Sequence, residues 1–389
     1  MRTSLTHIFF LLIFISKGDL AVMGQGSKKK PPLKDSLDGS FDLSDYIIEA
    51  NGFVPVPIFV TEPALGGFGA GIVPVFIKRK PPYVDTVKGR AVKTPVAPDI
   101  TGGLALYTAN DTWVTALFRS GTFVKSRIKY LAGGGYANIN LSFYRSFEQI
   151  GEKEFKFNFR TFPILLQATK RIGLSRWYAG LKYFFLSTEV RFAGDSTLSH
   201  EFFKESEMES IVSRLGVMVE LDSRDNIFTP DKGMKVHFDA LLSDNFLGSD
   251  YDYTHLNYYM YGYRSFGKKL VTGLRIDGQQ AFGDPPFFLL PYIDMRGVPT
   301  ARYQGMADIL TEGELRWNFV PRWSLMLFGG AGKAFDKWSE FEDAKWVTTI
   351  GSGFRYLIAR KFQLRMGIDV ARGPDDWAYY IVFGSSWLK

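Results

Sequence analysis

Asp222, Arg224 and Asp225 fall within four consecutive positions of the stretch LDSRDNIFTPDKGMKVHF, residues 221 to 238. Two carboxylates this close to a guanidinium have three chemical readings: a cation site, an acid–base pair, or a turn. A calcium site asks for more oxygen ligands at alternate positions and usually a distal glutamate, which this stretch lacks. An acid–base pair is disfavoured because adjacent strand-end residues point to opposite sides and the arginine keeps a nearby carboxylate ionised. Asn226, Pro230 and Gly233 favour the turn, since proline removes a donor and glycine permits a sharp bend.

Other chemistry-bearing residues are sparse. The chain of 389 residues has no cysteine, which excludes disulfides, thiolate metal sites and cysteine nucleophiles. His200, His237 and His255 are scattered, and no serine or aspartate beside them has the spacing of a triad or nucleophile elbow. The glycine-rich AGGGYAN, residues 132 to 138, lacks the Gly-Lys-Ser/Thr ending of a phosphate loop and reads as a close approach of backbones. Neither an enzyme activity nor a cofactor is expected. Arg296 stands apart, because it lies in a long, largely apolar excursion where a charge needs a partner in an enclosed site.

The elements that must position these residues follow from composition and periodicity. The chain carries 35 Phe, 19 Tyr, 8 Trp and 39 Gly, a profile that favours pleated surfaces over helices. Its formal charge of +7 is partly N-terminal, at Arg2, Lys17 and Lys28-Lys29-Lys30, and elsewhere bases mix with acids, so nucleic acid is not an expected partner. Residues 1–24 read as a signal peptide, with the apolar core IFFLLIFI at 8–15 and cleavage after Gly18 or Gly24. A basic then acidic tail occupies 25–52, and the remainder, 53–389, reads as one domain.

Within 53–389 the dominant period is two. FQLRMGIDV sets Phe362, Leu364, Met366, Ile368 and Val370 opposite Gln363, Arg365, Gly367 and Asp369, and EFKFNFR sets Phe155, Phe157 and Phe159 opposite Lys156, Asn158 and Arg160. Sixteen candidate strands follow, near 54–60, 66–78, 99–109, 111–123, 126–144, 153–171, 176–191, 209–221, 233–244, 253–266, 268–281, 306–320, 323–334, 345–357, 361–371 and 377–387. Alternation fits a soluble sandwich as well as a barrel. Strands of about 10 to 15 residues, aromatic apolar faces, and short turns set against long excursions at 79–98, 192–208 and 282–305 favour an all-β transmembrane antiparallel barrel.

The turn pattern D-x-R-D-N-x-F-x-P-x-x-G resembles a signature of the BamA/TamA-type superfamily, the bacterial surface antigen family. A second match is Met295-Arg296-Gly297, similar to that family's hydrophobic-Arg-Gly-aromatic motif, with Val298 in place of the aromatic. The resemblance implies that the excursion folds back into the barrel and that acidic inner-wall side chains hold Arg296. ELRW resembles the next strand, which makes Glu314, with Arg316 on the same polar face, a candidate inner-wall partner. Gly330 stands where the family's following strand often carries aspartate, and the chain ends GSSWLK rather than on an aromatic.

From the resemblance come an outer-membrane location of Gram-negative type and a role in protein insertion, translocation or membrane biogenesis. Outer-membrane lipids, client proteins and a periplasmic partner are the implied partners. The stretch before residue 53 is too short for a POTRA domain. Lateral opening is expected at a seam between the first strand, interrupted by Pro55 and Pro57, and the last, near Trp387. The alternative is a passive pore or a structural barrel.

Overall fold

A computed structural model describes residues 33–45, 53–78, 80, 83–87, 90–94, 99–147, 151–173, 175–192 and 208–387. The signal segment and the whole of 193–207, with His200, lie outside the described residues.

The strands are β1 (Phe53–Val60), β2 (Gly69–Lys78), β3 (Tyr83–Val87), β4 (Arg90–Thr94), β5 (Asp99–Thr108), β6 (Trp113–Phe123), β7 (Ile128–Phe147), β8 (Gly151–Arg171) and β9 (Trp177–Phe192). The second half comprises β10 (Glu209–Asp222), β11 (Gly233–Ser243), β12 (Tyr253–Phe266), β13 (Leu270–Gly283), β14 (Ala307–Val320), β15 (Trp323–Phe335), β16 (Val347–Ala359), β17 (Leu364–Arg372) and β18 (Trp377–Phe383). Sixteen of them form one antiparallel sheet in the order β1-β2-β5 through to β18, while β3 and β4 pair as a separate hairpin. The sheet curls into a nearly closed barrel: β1 and β18 approach each other, yet among the described residues no ladder joins them. The sixteen expected strands are therefore present.

Short connections at 172–176, 267–269, 321–322 and 360–363 share one end of the barrel, here the turn side; those at 244–252, 284–306 and 336–346 share the other, the loop side. The 79–98 excursion falls on the turn side and carries the β3–β4 hairpin. This departs from a simple division into short turns at one end and long loops at the other.

Outward-facing residues of the second half make a lipid-compatible surface, with Val217, Phe238, Leu274, Leu327, Ile350 and Val370 exposed. Around the whole barrel, Trp177, Phe266 and Trp323 mark the turn-side rim, and Trp113, Phe282 and Trp346 the loop-side rim, as aromatic girdles do. Opposite them, Arg214, Lys235, His237, Asp239, Glu312 and Asp369 are buried on the inner wall. No helix among the described residues is long and apolar enough to cross a membrane.

One stretch inverts this phase. On β8 it is Phe155, Phe157 and Phe159 that face inward and are buried, while Glu154, Lys156 and Arg160 are exposed. β7 and β8 run to 20 and 21 residues, longer than a tilted bilayer crossing of about 9–11 residues needs. At their loop-side ends the apolar face turns in. It packs there against Phe287 and Phe288 of the 284–306 segment, with ring centroids 5.2 Å apart for Phe157–Phe287 and 5.8 Å for Phe159–Phe288.

The last strand also departs from expectation. β18 ends at Phe383, and residues 384–387 leave the sheet toward the lumen.

Candidate functional site

The 284–306 segment is a loop shaped by its own backbone. Ile293 N–H donates to Tyr303 O (3.0 Å) and Gly305 N–H to Pro291 O (3.1 Å), so its two arms pair. At the tip, Val298 N–H donates to Met295 O (3.0 Å), closing a turn over Arg296-Gly297 in which Gly297 has φ 90°. That left-handed position favours glycine. Tyr380 Oη on β18 accepts from Gly297 N–H at 2.9 Å, and a Cβ on Gly297 would lie 3.2 Å from that of Ala371 on β17. In place of the family's aromatic, Val298 fits a small buried cluster with Ile293, Met295, Leu310 and Val347.

The turn aims Arg296 at the inner wall. Its guanidinium donates to Glu312 (2.6 Å), Asp369 (3.0 Å), Glu314 (3.3 Å) and Ser386 Oγ (3.1 Å), and lies 3.6 Å above the Phe328 ring. Glu314 is thus within hydrogen-bond reach of Arg296. Glu312 makes the shorter contact and was legible in principle, since it precedes Glu314 by two on the same strand face. Asp369 comes from β17 and was visible only as one of the polar alternates of FQLRMGIDV. Gly330 lacks a carboxylate for a steric reason: a Cβ there would lie 2.5 Å from Met295 Sδ.

Further groups join this network. Arg355 grips Asp369 with two contacts of 2.6 and 2.8 Å, and Arg275 pairs with Asp277 (2.7 Å), Asp294 (3.3 Å) and Glu312 (3.5 Å). A guanidinium buried without carboxylates would be strongly unfavourable; here each finds at least one bidentate or multiple partner set.

Two expectations need correction. Arg316 is not a partner of Arg296: it donates to Pro230 O at 3.3 Å and pairs with Asp231, both in the turn-side connection 223–232. Trp387 is not on a strand edge at the seam. Its side chain is buried, its indole N–H donates to Glu312 at 2.7 Å, and it packs beside Tyr261 and Tyr263 of β12. Backbone pairing cannot hold it at the edge, because the chain turns at Gly384 (φ 80°) and Ser385 N–H donates to Phe228 O at 2.6 Å.

Asp222, Arg224 and Asp225 are taken up by contacts within their own turn. Asp222 receives two contacts of 3.0 Å from the Arg224 guanidinium, whereas one Asp225 oxygen accepts from the backbone N–H of Asn226, Asp231 and Lys232 at 3.0–3.1 Å. Asn226 caps Phe228 and Thr229 N–H at 2.8 Å and donates to Phe362 O at 3.0 Å. Gly233 has φ 100°, and a Cβ there would lie 2.4 Å from Ser223 O. The two carboxylates therefore point at different donors and do not converge on a common point.

Pro55 and Pro57 lie within β1, which among the described residues pairs with β2 alone, Pro55 opposite Pro74. His237 stacks on Tyr259 (4.7 Å between centroids) and contacts Asp239 at 2.9 Å on the inner wall; His255 is likewise buried.

No family model and no curated protein matches the sequence. Solved structures do. BamA from Haemophilus ducreyi lacking POTRA domains 1–3 superposes with a TM-score of 0.57 at 12% identity, covering 86% of this chain and 70% of that one. This chain has the barrel fold of BamA and CdiB. CdiB from Acinetobacter baumannii gives a TM-score of 0.56 at 11% identity, covering 86% and 59% of the two chains, and CdiB from Escherichia coli 0.56 at 8%, covering 84% and 61%. The chain thus spans about three fifths of either CdiB, and the BamA/CdiB-type likeness is one of fold.

Proposed function

We propose that this chain is an outer-membrane barrel that passes polypeptide segments into or across the bilayer by opening between β1 and β18. One observation carries this reading: the two strands lie side by side without a ladder, while every other neighbouring pair in the barrel is hydrogen-bonded. Unpaired backbone is costly in lipid, so such an edge is a template for an incoming strand.

Two features support it. With eight residues in β1 and seven in β18, the seam rises only roughly 17–22 Å at ordinary rise and tilt, short of the ~25 Å apolar band of such barrels. Moreover, the residues after β18 are anchored to the lumenal network rather than to β1. The mechanism would be physical: the Arg296 network holds the loop and the chain end together, and its rearrangement frees both. Outer-membrane lipids and client proteins, with a periplasmic partner, are the proposed partners.

The test is client-barrel folding in liposomes, read by heat-dependent gel mobility, with and without the protein. The chain has no cysteine, so Phe59→Cys and Tyr379→Cys supply a pair that a cleavable bifunctional thiol reagent can bridge. Acceleration that is lost on bridging and returns on cleavage is expected. No acceleration by properly folded protein would leave a structural barrel instead.

A further inference from the structure

The acidic segment 33–45 is held on the turn side by the connections that flank β15 and β16. It forms a small hairpin closed by a Lys34–Phe41 bridge, with Asp35, Asp38 and Asp42 each accepting from a backbone N–H two residues on. Arg322, in the two-residue β14–β15 connection, donates to Asp35 (2.5 Å), Asp38 (2.6 and 2.8 Å) and Asp42 (2.6 Å). Arg360, between β16 and β17, pairs with Asp35, and its N–H donates to Asp42 at 2.9 Å. Lys361 pairs with Asp45 at 2.5 Å and donates its N–H to Ser44 Oγ at 3.0 Å. Backbone contact seals the arrangement, with Leu43 N–H on Ile358 O at 2.8 Å. Four carboxylates thus meet three cations, and Asp35 and Asp42 are buried there.

Arg322 has φ 76°, a left-handed backbone that a long side chain rarely adopts. Such strain persists where surroundings over-determine it, and the three carboxylates converging on this side chain do so.

Topology gives the contact a consequence. Seven residues, 46–52, separate Asp45 from the first residue of β1, and the sheet runs β16-β17-β18 before the unpaired gap and β1. The segment is therefore anchored on one side of the seam and covalently continuous with the strand on the other. The eight steps from Asp45 to Phe53 reach at most about 29 Å.

We propose that residues 35–45 are an ion-paired latch across the β1–β18 seam, limiting how far β1 moves from the C-terminal strands while docked. Release of the latch from Arg322 and Arg360 lets the seam widen. This rests on the seam reading above, but adds what restrains it.

The test uses full-length protein in nanodiscs with spin-label pairs. Leu37→Cys with Lys268→Cys reports docking of the segment, and Phe59→Cys with Tyr379→Cys reports the seam. Each pair is measured in the native background, in Arg322→Glu, and in the triple change Asp35→Asn, Asp38→Asn, Asp42→Asn, which leaves the barrel sequence untouched should Arg322→Glu fail to fold. Expected is a broadened docking distribution accompanied by a seam distribution lengthened by about 5 Å or more, one strand spacing. A docking pair unchanged by the triple variant would overturn the ion-paired latch. Broadened docking with an unchanged seam would overturn its restraint of β1. Either failure leaves the bridging experiment on client folding unaffected, so the latch and the lateral opening fail separately.

Discussion

Arg296 illustrates how much one side chain can organise. Its four hydrogen-bonding partners come from β14, β17 and the residues after β18, so its removal takes from buried Glu314 its ion-pair partner and leaves Glu312 and Asp369 with only Arg275 and Arg355. Truncating one partner of a buried ion pair typically costs about 3–5 kcal/mol. Arg296→Ala should therefore lose stability on that scale in urea unfolding of the folded barrel, followed by gel mobility. Combined with Glu312→Gln the loss should be smaller than the sum, since the two groups share one network. An additive double mutant would mean that they act independently. Gly330→Asp is expected to dislodge the loop tip, because Met295 occupies the space; cleavage of the 284–306 loop by added protease should rise.

For the elements, the inverted phase at the loop-side ends of β7 and β8 makes a sharp distinction between adjacent residues. Phe157 is buried among Phe143, Phe159 and Phe287, whereas Lys156 beside it faces out. Phe157→Ala should cost about 3–5 kcal/mol, the usual range for a buried phenylalanine, and Lys156→Ala within about 0.5 kcal/mol of nothing. Comparable losses from both, measured by urea unfolding, would put the stretch in lipid with its phenylalanines outward. The turn 223–232 behaves as an element in its own right, because the Arg316, Phe362 and Ser385 contacts tie it to β14, the β16–β17 connection and the chain end.

At the scale of the molecule, the latch sets an expected response to pH. Asp35 lies below the ordinary aspartate range chiefly through its hydrogen bond from Arg360, and Asp38 through that from Arg322. Burial pushes Asp42 up, but hydrogen bonds from Ser44, the Arg360 N–H and Arg322 outweigh it and leave it low. Arg322 and Arg360 are raised by the same carboxylates, so both stay charged through the acid range. A carboxylate depressed on docking favours the docked state above its free value of about 4, and that preference fades as pH falls through the depressed values. The Leu37–Lys268 label pair should therefore stay narrow from pH 8 to about pH 5 and broaden only below about pH 4. Broadening near pH 6 would point to a different titrating group.

Period-two alternation, aromatic content and turn spacing were local properties, so the sequence by itself determined sixteen strands, an all-β barrel and most of its turns. The tip Met295-Arg296-Gly297 and Glu314 were also legible, because a motif carries its own spacing. Local patterning is silent on which side of a strand meets lipid once the strand outruns the bilayer, and the Phe155–Phe159 stretch was decided only by the packing of Phe287 against it. The same holds for contacts between residues far apart in sequence. Asp369 on Arg296, Arg316 on the 223–232 turn, Trp387 on Glu312 and Asp35 on Arg322 and Arg360 join positions 73 to 325 residues apart. Closure of the barrel brings them together, and a single chain's alternation records nothing of which inward faces will meet across the lumen.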